Sequence, residues 1–248
     1  MAKYVLLDTE TTGAGENDRI IQLGFMVLEG KNVEVYNDLC YSEVPIAIPA
    51  METHGITPEM IEGLPMCRET GAFRALEGLN DPENILIIHN APFDLGMLAK
   101  ENFTSRMRLI DTLRCAKHLF DDEEAHRLQY FRYRLGLYKI EQAEAQALGI
   151  EVKAHDAIGD VLVLKLFLSE LRKRLAERFG EVNPIDKMVE LTQTPVFYAR
   201  PLKFGKYKGK TLSEIVESDR GYLSWMLGNM ESLDEDMRYS INVVLGNG

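Results

Sequence analysis

Asp8 and Glu10 stand two residues apart where an apolar run ends, Asp94 closes the segment His89-Asn-Ala-Pro-Phe-Asp94, and His155 precedes Asp160 by five positions. Carboxylates gathered into one site repel and protonate one another unless a cation sits among them, so four acids acting together imply bound divalent metal. Oxygen-only ligands suit magnesium or manganese, whereas zinc would ask for more histidine or thiolate. Two such ions roughly 3.5–4 Å apart can clamp the attacking water and the leaving oxygen of a phosphodiester in line. In that scheme Asp8 bridges both ions, and Glu10, Asp94 and Asp160 complete the shells. His155 removes the proton from water, since a neutral imidazole titrates near working pH. Activity is then expected to fall as pH drops through the histidine's pKa.

Each group alone has a plainer reading: solvated acids at a strand end, an acid favoured by a helix dipole, a cap and a surface carboxylate. Their joint order favours the metal site. The elements that must position them are legible. Tyr4 to Leu7 reads as a strand, and strand side chains repeat every second residue, so Asp8 and Glu10 project from one face. The following Thr11-Thr12-Gly13 forms a turn whose hydroxyls and amides suit a phosphate or a terminal sugar. Arg19 to Leu28 and Val33 to Tyr41 read as two more strands joined at Glu29-Gly30-Lys31, an antiparallel meander. A helix is expected over Cys67 to Leu79, a strand over Ile85 to Ile88, and a helix entered through Pro92 with Asn90 as its cap. A short strand at Arg108 to Asp111 precedes helices near 112–119, 127–135 and 140–148, and a longer one near 156–178. Asp111 and Asp156 take supporting roles at a strand-to-helix junction and a helix start. Strands first, then strands alternating with helices, imply an α/β fold with a mixed sheet flanked by helices.

The chain of 248 residues has room for one full domain, expected over residues 1–178, a linker over 179–194, and a small α+β unit over 195–248. A hydrophobic content of 46% and a charged content of 27% are those of a globular protein. The amino terminus enters a strand at once and no apolar run approaches a membrane span, so a cytoplasmic protein without a membrane partner is expected. Cys40, Cys67 and Cys115 read as reduced thiols rather than a disulfide framework.

A net charge of −11 seems to oppose a nucleic-acid partner, but its distribution is uneven. Val196 to Thr211 holds no acid and carries Arg200, Lys203, Lys206, Lys208 and Lys210 among Phe197, Tyr198, Phe204 and Tyr207. Phe204-Gly-Lys-Tyr-Lys-Gly-Lys210 has the glycine spacing of a tight hairpin, and Thr211 with Glu214 fits a capping box. Ala125 to Ile140 is also free of acids until Glu141, and reads as a structural amphipathic helix with Leu128, Phe131 and Leu135 inward.

Asp8-Thr-Glu-Thr-Thr-Gly13, His89-Asn-Ala-Pro-Phe-Asp94 and His155-Asp-Ala-Ile-Gly-Asp160 together resemble the three motifs of the DEDDh group of 3′→5′ exonucleases, which includes the epsilon subunit of bacterial DNA polymerase III. The resemblance implies a ribonuclease H-like fold with a five-stranded mixed sheet, two magnesium or manganese ions, and release of nucleoside 5′-monophosphates from a DNA 3′ end. His54-Gly-Ile-Thr57 is similar to that group's segment near the terminal nucleotide. The resemblance places Thr11, Thr12, His54 and Phe93 around that nucleotide, with Phe93 either wedged at the last bases or simply in the core. Gln22 departs from the group, whose members often carry an acid there. Residues 201–211 with Gly221-Tyr-Leu-Ser-Trp-Met-Leu227 are similar to the small domain behind the catalytic domain of exodeoxyribonuclease X. In that setting Lys206 and Lys208 are expected to grip phosphates while Phe204 or Tyr207 stacks on a base, or the aromatics pack on Trp225. Metal-assisted hydrolysis does not depend on the sugar, so an RNA-trimming enzyme is one alternative. A polymerase-associated proofreading or interaction subunit is a second, and a DNA polymerase or a repair protein is the partner class expected.

Overall fold

The computed structural model describes residues 2–150 and 156–247. The chain divides into two compact units, residues 1–192 and 193–248. The first is built on a five-stranded sheet of order β3-β2-β1-β4-β5, formed by β1 (Tyr4–Thr11), β2 (Ile20–Glu29), β3 (Asn32–Leu39), β4 (Ile85–Ile88) and β5 (Arg108–Asp111). β2 pairs antiparallel with β1 and, through the short Gly30-Lys31 turn, with β3, while β4 runs parallel beside β1 and β5 parallel beside β4. This is the expected mixed sheet.

Its helices are α1 (Ile48–His54), α2 (Pro58–Ile61), α3 (Gly71–Gly78), α4 (Ala91–Lys100), α5 (Thr112–Leu119), α6 (Leu128–Arg134), α7 (Glu141–Leu148), α8 (Ala157–Phe179) and α9 (Pro184–Gln193). Strand alternation sorts the core into two layers. Val5, Leu7, Leu23, Phe25 and Leu86 pack with Phe73 of α3 and Leu98 of α4. Leu6, Met26, Ile87 and Ile110 pack on the other face with Phe131 of α6 and Ile158, Leu162 and Phe167 of α8. Both faces of the central strands are covered, which is why β4 reads as an unbroken apolar run.

Three expectations need correction. The helix expected over 67–79 is broken at Thr70, whose hydroxyl accepts from the Phe73 amide and restarts the chain as α3. Asn90 adopts a left-handed backbone (φ 73°) and its side chain caps nothing. The α4 amides of Asn90 and Ala91 instead donate to buried Asp111, which also accepts from the Leu113 amide and so caps two helices. Finally, α9 is not linker. Its Ile185, Met188 and Leu191 join the main core, and the Asp111 amide donates to Thr192 Oγ1 at 2.9 Å, so the first unit runs to Thr192 rather than ending at 178.

Gly24, opposite Asp8 in the β1–β2 register, sets how closely α8 can approach. A Cβ there would come within 2.8 Å of the Ile158 nitrogen and 2.9 Å of the Ala157 carbonyl carbon, both backbone atoms that cannot rotate away. Gly24→Ala is therefore expected to push α8 off the sheet at a cost of about 1–3 kcal/mol, the range for overpacking a filled interior. Urea unfolding measures this, and an unchanged midpoint would show that the approach has slack.

The second unit has its own core of Leu202, Leu212, Ile215, Leu223, Met226, Met237 and Ile241, built by α10 (Leu212–Asn229) and α11 (Glu235–Leu245). The capping box at Thr211 and Glu214 forms as expected. The hairpin does not become a pair of strands: the Leu202 amide donates to the Lys210 carbonyl and the Gly209 amide to the Leu202 carbonyl, closing a loop of turns through Gly205 (φ 72°) and Gly209 (φ 91°). Among the described residues this unit is thus helical rather than α+β. No helix among the described residues is long and apolar enough to cross a membrane.

Candidate active site

Asp8 and Glu10 project from β1 on the side of Leu6, toward α8, as the period of two requires. Asp160 lies in the first turn of α8, where the helix dipole favours a carboxylate. The space left by Gly24 brings that turn onto the sheet, and carboxylate oxygens of Asp8, Glu10 and Asp160 lie within 4.8 Å of one another. Asp94, buried in the first turn of α4, is outside that trio and accepts from Thr9 Oγ1 at 2.8 Å, yet its charge is the largest acting on Asp8. The four acids thus share one electrostatic environment.

Their protonation shows the cost. Burial, then the charges of Asp94, Asp160 and Glu10, holds Asp8 well above the usual carboxylate range. Burial followed by Asp160, Asp156 and Asp94 pushes Glu10 up to about 8. Asp94 rises to about 7, mainly through burial, against the opposing hydrogen bond from Thr9. Carboxylates this close and this reluctant to ionise fit a divalent cation, and the donor set is all oxygen. His155 lies outside the described residues.

The start of α8 is also tied to β2. Gln22, paired with Glu10 across the strands, donates from Nε2 to Asp156 Oδ1 at 2.6 Å and accepts from the Ala157 amide through Oε1 at 3.2 Å. An acid at this position would repel Asp156; the amide instead donates to it and accepts from the next residue.

The residues expected around a terminal nucleotide have intramolecular partners of their own. Thr12 is fully buried, its hydroxyl donating to Asp18 Oδ1 at 2.7 Å and accepting from the Arg19 amide, so it holds the turn. Thr11 Oγ1 likewise donates to the Gly13 carbonyl. His54 accepts from the Ile56 amide at Nδ1, which leaves Nε2 protonated and facing the Thr11 carbonyl at 3.2 Å. The imidazole thereby clamps α1 to the end of β1, and one edge borders a cleft of about 890 Å³ also lined by Gln22, Met60 and Asp156. Phe93 is half-buried and packs one side against the core. In the second unit Lys206 pairs with Asp219 at 2.9 Å, whereas Lys203, Lys208 and Lys210 are exposed. Tyr207 donates to Asp219 at 2.7 Å and meets Tyr222 edge-on; Tyr222 stacks on Trp225, itself 51% exposed.

Residues 5–167, which span the sheet and all four acids, match the family described as Exonuclease. The chain belongs to the exonuclease family. Residues 202–231 of this exonuclease match a second family, described as Exodeoxyribonuclease X-like C-terminal. The exonuclease is 25% identical to Exodeoxyribonuclease 10 of Escherichia coli over 98% of both chains. It is 32% identical to a DNA polymerase III subunit epsilon-like protein of Rhodobacter capsulatus over 72% of its own length, but spans only 25% of that relative. A solved structure of Exonuclease X in complex with 5′ overhanging duplex DNA is similar in fold, with a TM-score of 0.54 and 18% identity over 77% of this exonuclease and 99% of that chain.

One site contact escaped the sequence. Gln129 of α6 donates to Asp160 Oδ1 at 2.5 Å, although residues 125–140 read as purely structural. The period of three to four that marked Leu128 and Phe131 as inward also turns Gln129 toward α8, but nothing local marks a glutamine thirty-one positions before its partner.

Proposed function

We propose that this protein is a 3′→5′ exodeoxyribonuclease that releases nucleoside 5′-monophosphates from DNA ends. The observation that carries the reading is the convergence of Asp8, Glu10 and Asp160 from a strand end and a helix start, with Asp94 adjoining. The choice of DNA is supported by its similarity to Exodeoxyribonuclease 10 and to Exonuclease X in complex with duplex DNA. Asp8, Glu10, Asp94 and Asp160 would hold divalent magnesium or manganese. When bound, such ions neutralise the acids and stabilise charge on the attacking and leaving oxygens. His155 takes the proton of the attacking water, which requires the imidazole to be neutral beforehand. Phe93 offers the exposed part of its ring to the last base, and the His54 clamp keeps the Thr11 turn in place beside it. With three free cysteines, all buried, the chain suits a reducing cytoplasm.

The second unit is proposed to bind the phosphates of the same strand through its exposed cations. Lys208→Glu is expected to raise KM with kcat retained and to flatten the salt dependence of binding by about one phosphate contact. Lys206→Ala would also loosen the Asp219 contacts, which makes Lys208 the cleaner test.

End-labelled single-stranded DNA, duplex DNA and RNA, offered with magnesium or with chelator, decide the main reading. Mononucleotides liberated from the 3′ end of DNA only when metal is present are expected. Cleavage that persists in chelator, or degradation confined to RNA, would defeat it.

A further inference from the structure

Behind the Asp160 carboxylate runs a chain of hydrogen bonds that the reaction as described does not use. Gln129 Nε2 donates to Asp160 Oδ1 at 2.5 Å, and Gln129 Oε1 accepts from Arg132 Nη1 at 3.2 Å. Arg132 in turn grips Glu141 at the start of α7 with two hydrogen bonds, Nε to Oε2 at 2.7 Å and Nη2 to Oε1 at 2.5 Å. The two side chains of that pair are only 10% and 8% exposed. A guanidinium can only donate and a carboxylate can only accept, so the amide between them has one possible orientation; the flipped form would set NH2 against Arg132 and C=O against Asp160. Glu141 fixes the plane of Arg132, Arg132 fixes the amide, and the amide engages one oxygen of Asp160.

A buried ion pair is a poor source of stability by itself, because desolvation consumes most of the attraction. Its placement here is better accounted for by orientation. We infer that Gln129 is a positioning residue for the metal centre: it fixes the Asp160 carboxylate in the attitude that a cation shared with Asp8 and Glu10 requires, and Arg132 and Glu141 hold Gln129 to that task. The inference rests on the metal reading above. An amide suits this role where a lysine or arginine would not. It holds the carboxylate without cancelling the negative charge that attracts the cation. Hydrogen bonds of this kind to a metal-binding side chain typically govern affinity by about 10–100-fold.

The test is Mn²⁺ binding to the full chain without DNA, followed by the electron paramagnetic resonance of the free ion. Wild type is compared with Gln129→Ala and Gln129→Met. Gln129 is half-buried on a helix, where alanine is well tolerated and methionine keeps the packing, so both variants are expected to fold, with melting in chelator close to that of wild type. Both should bind Mn²⁺ about 10–100-fold more weakly. Hydrolysis should need correspondingly more Mg²⁺ for half-maximal rate and recover most of its kcat at saturation, a pattern that a merely structural defect would not produce. Glu141→Gln should shift Mn²⁺ affinity in the same direction by less. Wild-type Mn²⁺ affinity in the folded Gln129 variants overturns the assignment, and wild-type affinity in Glu141→Gln alone overturns the part given to the ion pair. Failure of the wild-type protein itself to bind Mn²⁺ would overturn the metal reading as well.

Discussion

Asp8→Asn will abolish hydrolysis and, in the same protein, raise the melting temperature measured in chelator. The two effects have one cause. Asp8 is pressed upon by its surroundings, with burial and the charges of Asp94, Asp160 and Glu10 all acting against its ionisation. Without a cation, its carboxylate is therefore a defect in the fold, and an isosteric amide removes the repulsion while keeping the shape. With a cation, the same carboxylate supplies charge that asparagine lacks. The loss of rate is expected to be about 10³-fold or more, above the 10²–10³-fold that follows removal of one preorganised stabilising group at a reacting centre. Single-turnover cleavage of labelled DNA in Mg²⁺ measures the first effect and thermal melting in EDTA the second. A variant that is inactive but less stable would mean that Asp8 is a structural residue whose replacement merely damages the fold.

This coupling of function to instability explains which parts of the site were visible beforehand. Asp8 and Glu10 share a face because strands alternate, and the long amphipathic run after Asp160 announces α8; both follow from local periodicity. What brings them together is less local. Gly24 is one small residue in an otherwise ordinary strand, and only the register against Asp8 reveals that it makes room for the α8 backbone. Asp111 reads as a junction residue, yet its service as cap for α4 depends on β5 lying parallel beside β4, which spacing does not specify. The hydroxyls of Thr11 and Thr12 were legible as turn residues but not as already spent inside the turn, on Gly13 and Asp18. Residues 184–193 looked like a connection because Pro184 breaks the pattern, whereas proline is tolerated in the first turn of α9 and Ile185, Met188 and Leu191 form its buried stripe. Gln129 is hidden for the opposite reason: the pattern around it is that of a core helix, and a core helix whose edge meets the site has two functions at once.

The stability of the metal-free protein should fall as pH rises from about 5 to 8.5, and magnesium should reverse that fall. Glu10 with a pKa of about 8, Asp94 at about 7 and Asp8 raised alongside them all bind protons more tightly folded than unfolded, where ordinary values near 4 apply. Their contribution is fully present below the unfolded pKa and is lost as pH climbs through the folded values. Buried His89, lowered to about 4 chiefly by desolvation, opposes the fall below about pH 6.5, but it is one group against three, and the lowered carboxylates do not compensate in this window. Asp18, Glu123, Glu214 and Asp219 are lowered by hydrogen bonds from Thr12, Tyr130, the Thr211 backbone and Lys206 respectively, and their stabilisation is complete once pH exceeds the unfolded range. The melting temperature in EDTA is thus expected to peak near pH 5 and decline on the alkaline side, although most native proteins are near their best between about 5 and 8. Magnesium binds the ionised acids and competes with protons, so its effect must grow with pH. At about 100 times its dissociation constant it contributes about 2.7 kcal/mol, or a shift of about 5–10 °C for a unit of this size. At pH 5.5 the same concentration should shift melting far less. Calorimetry or melting curves at both pH values, with and without Mg²⁺, check this, and a magnesium effect independent of pH would show that the ion binds somewhere other than among these acids.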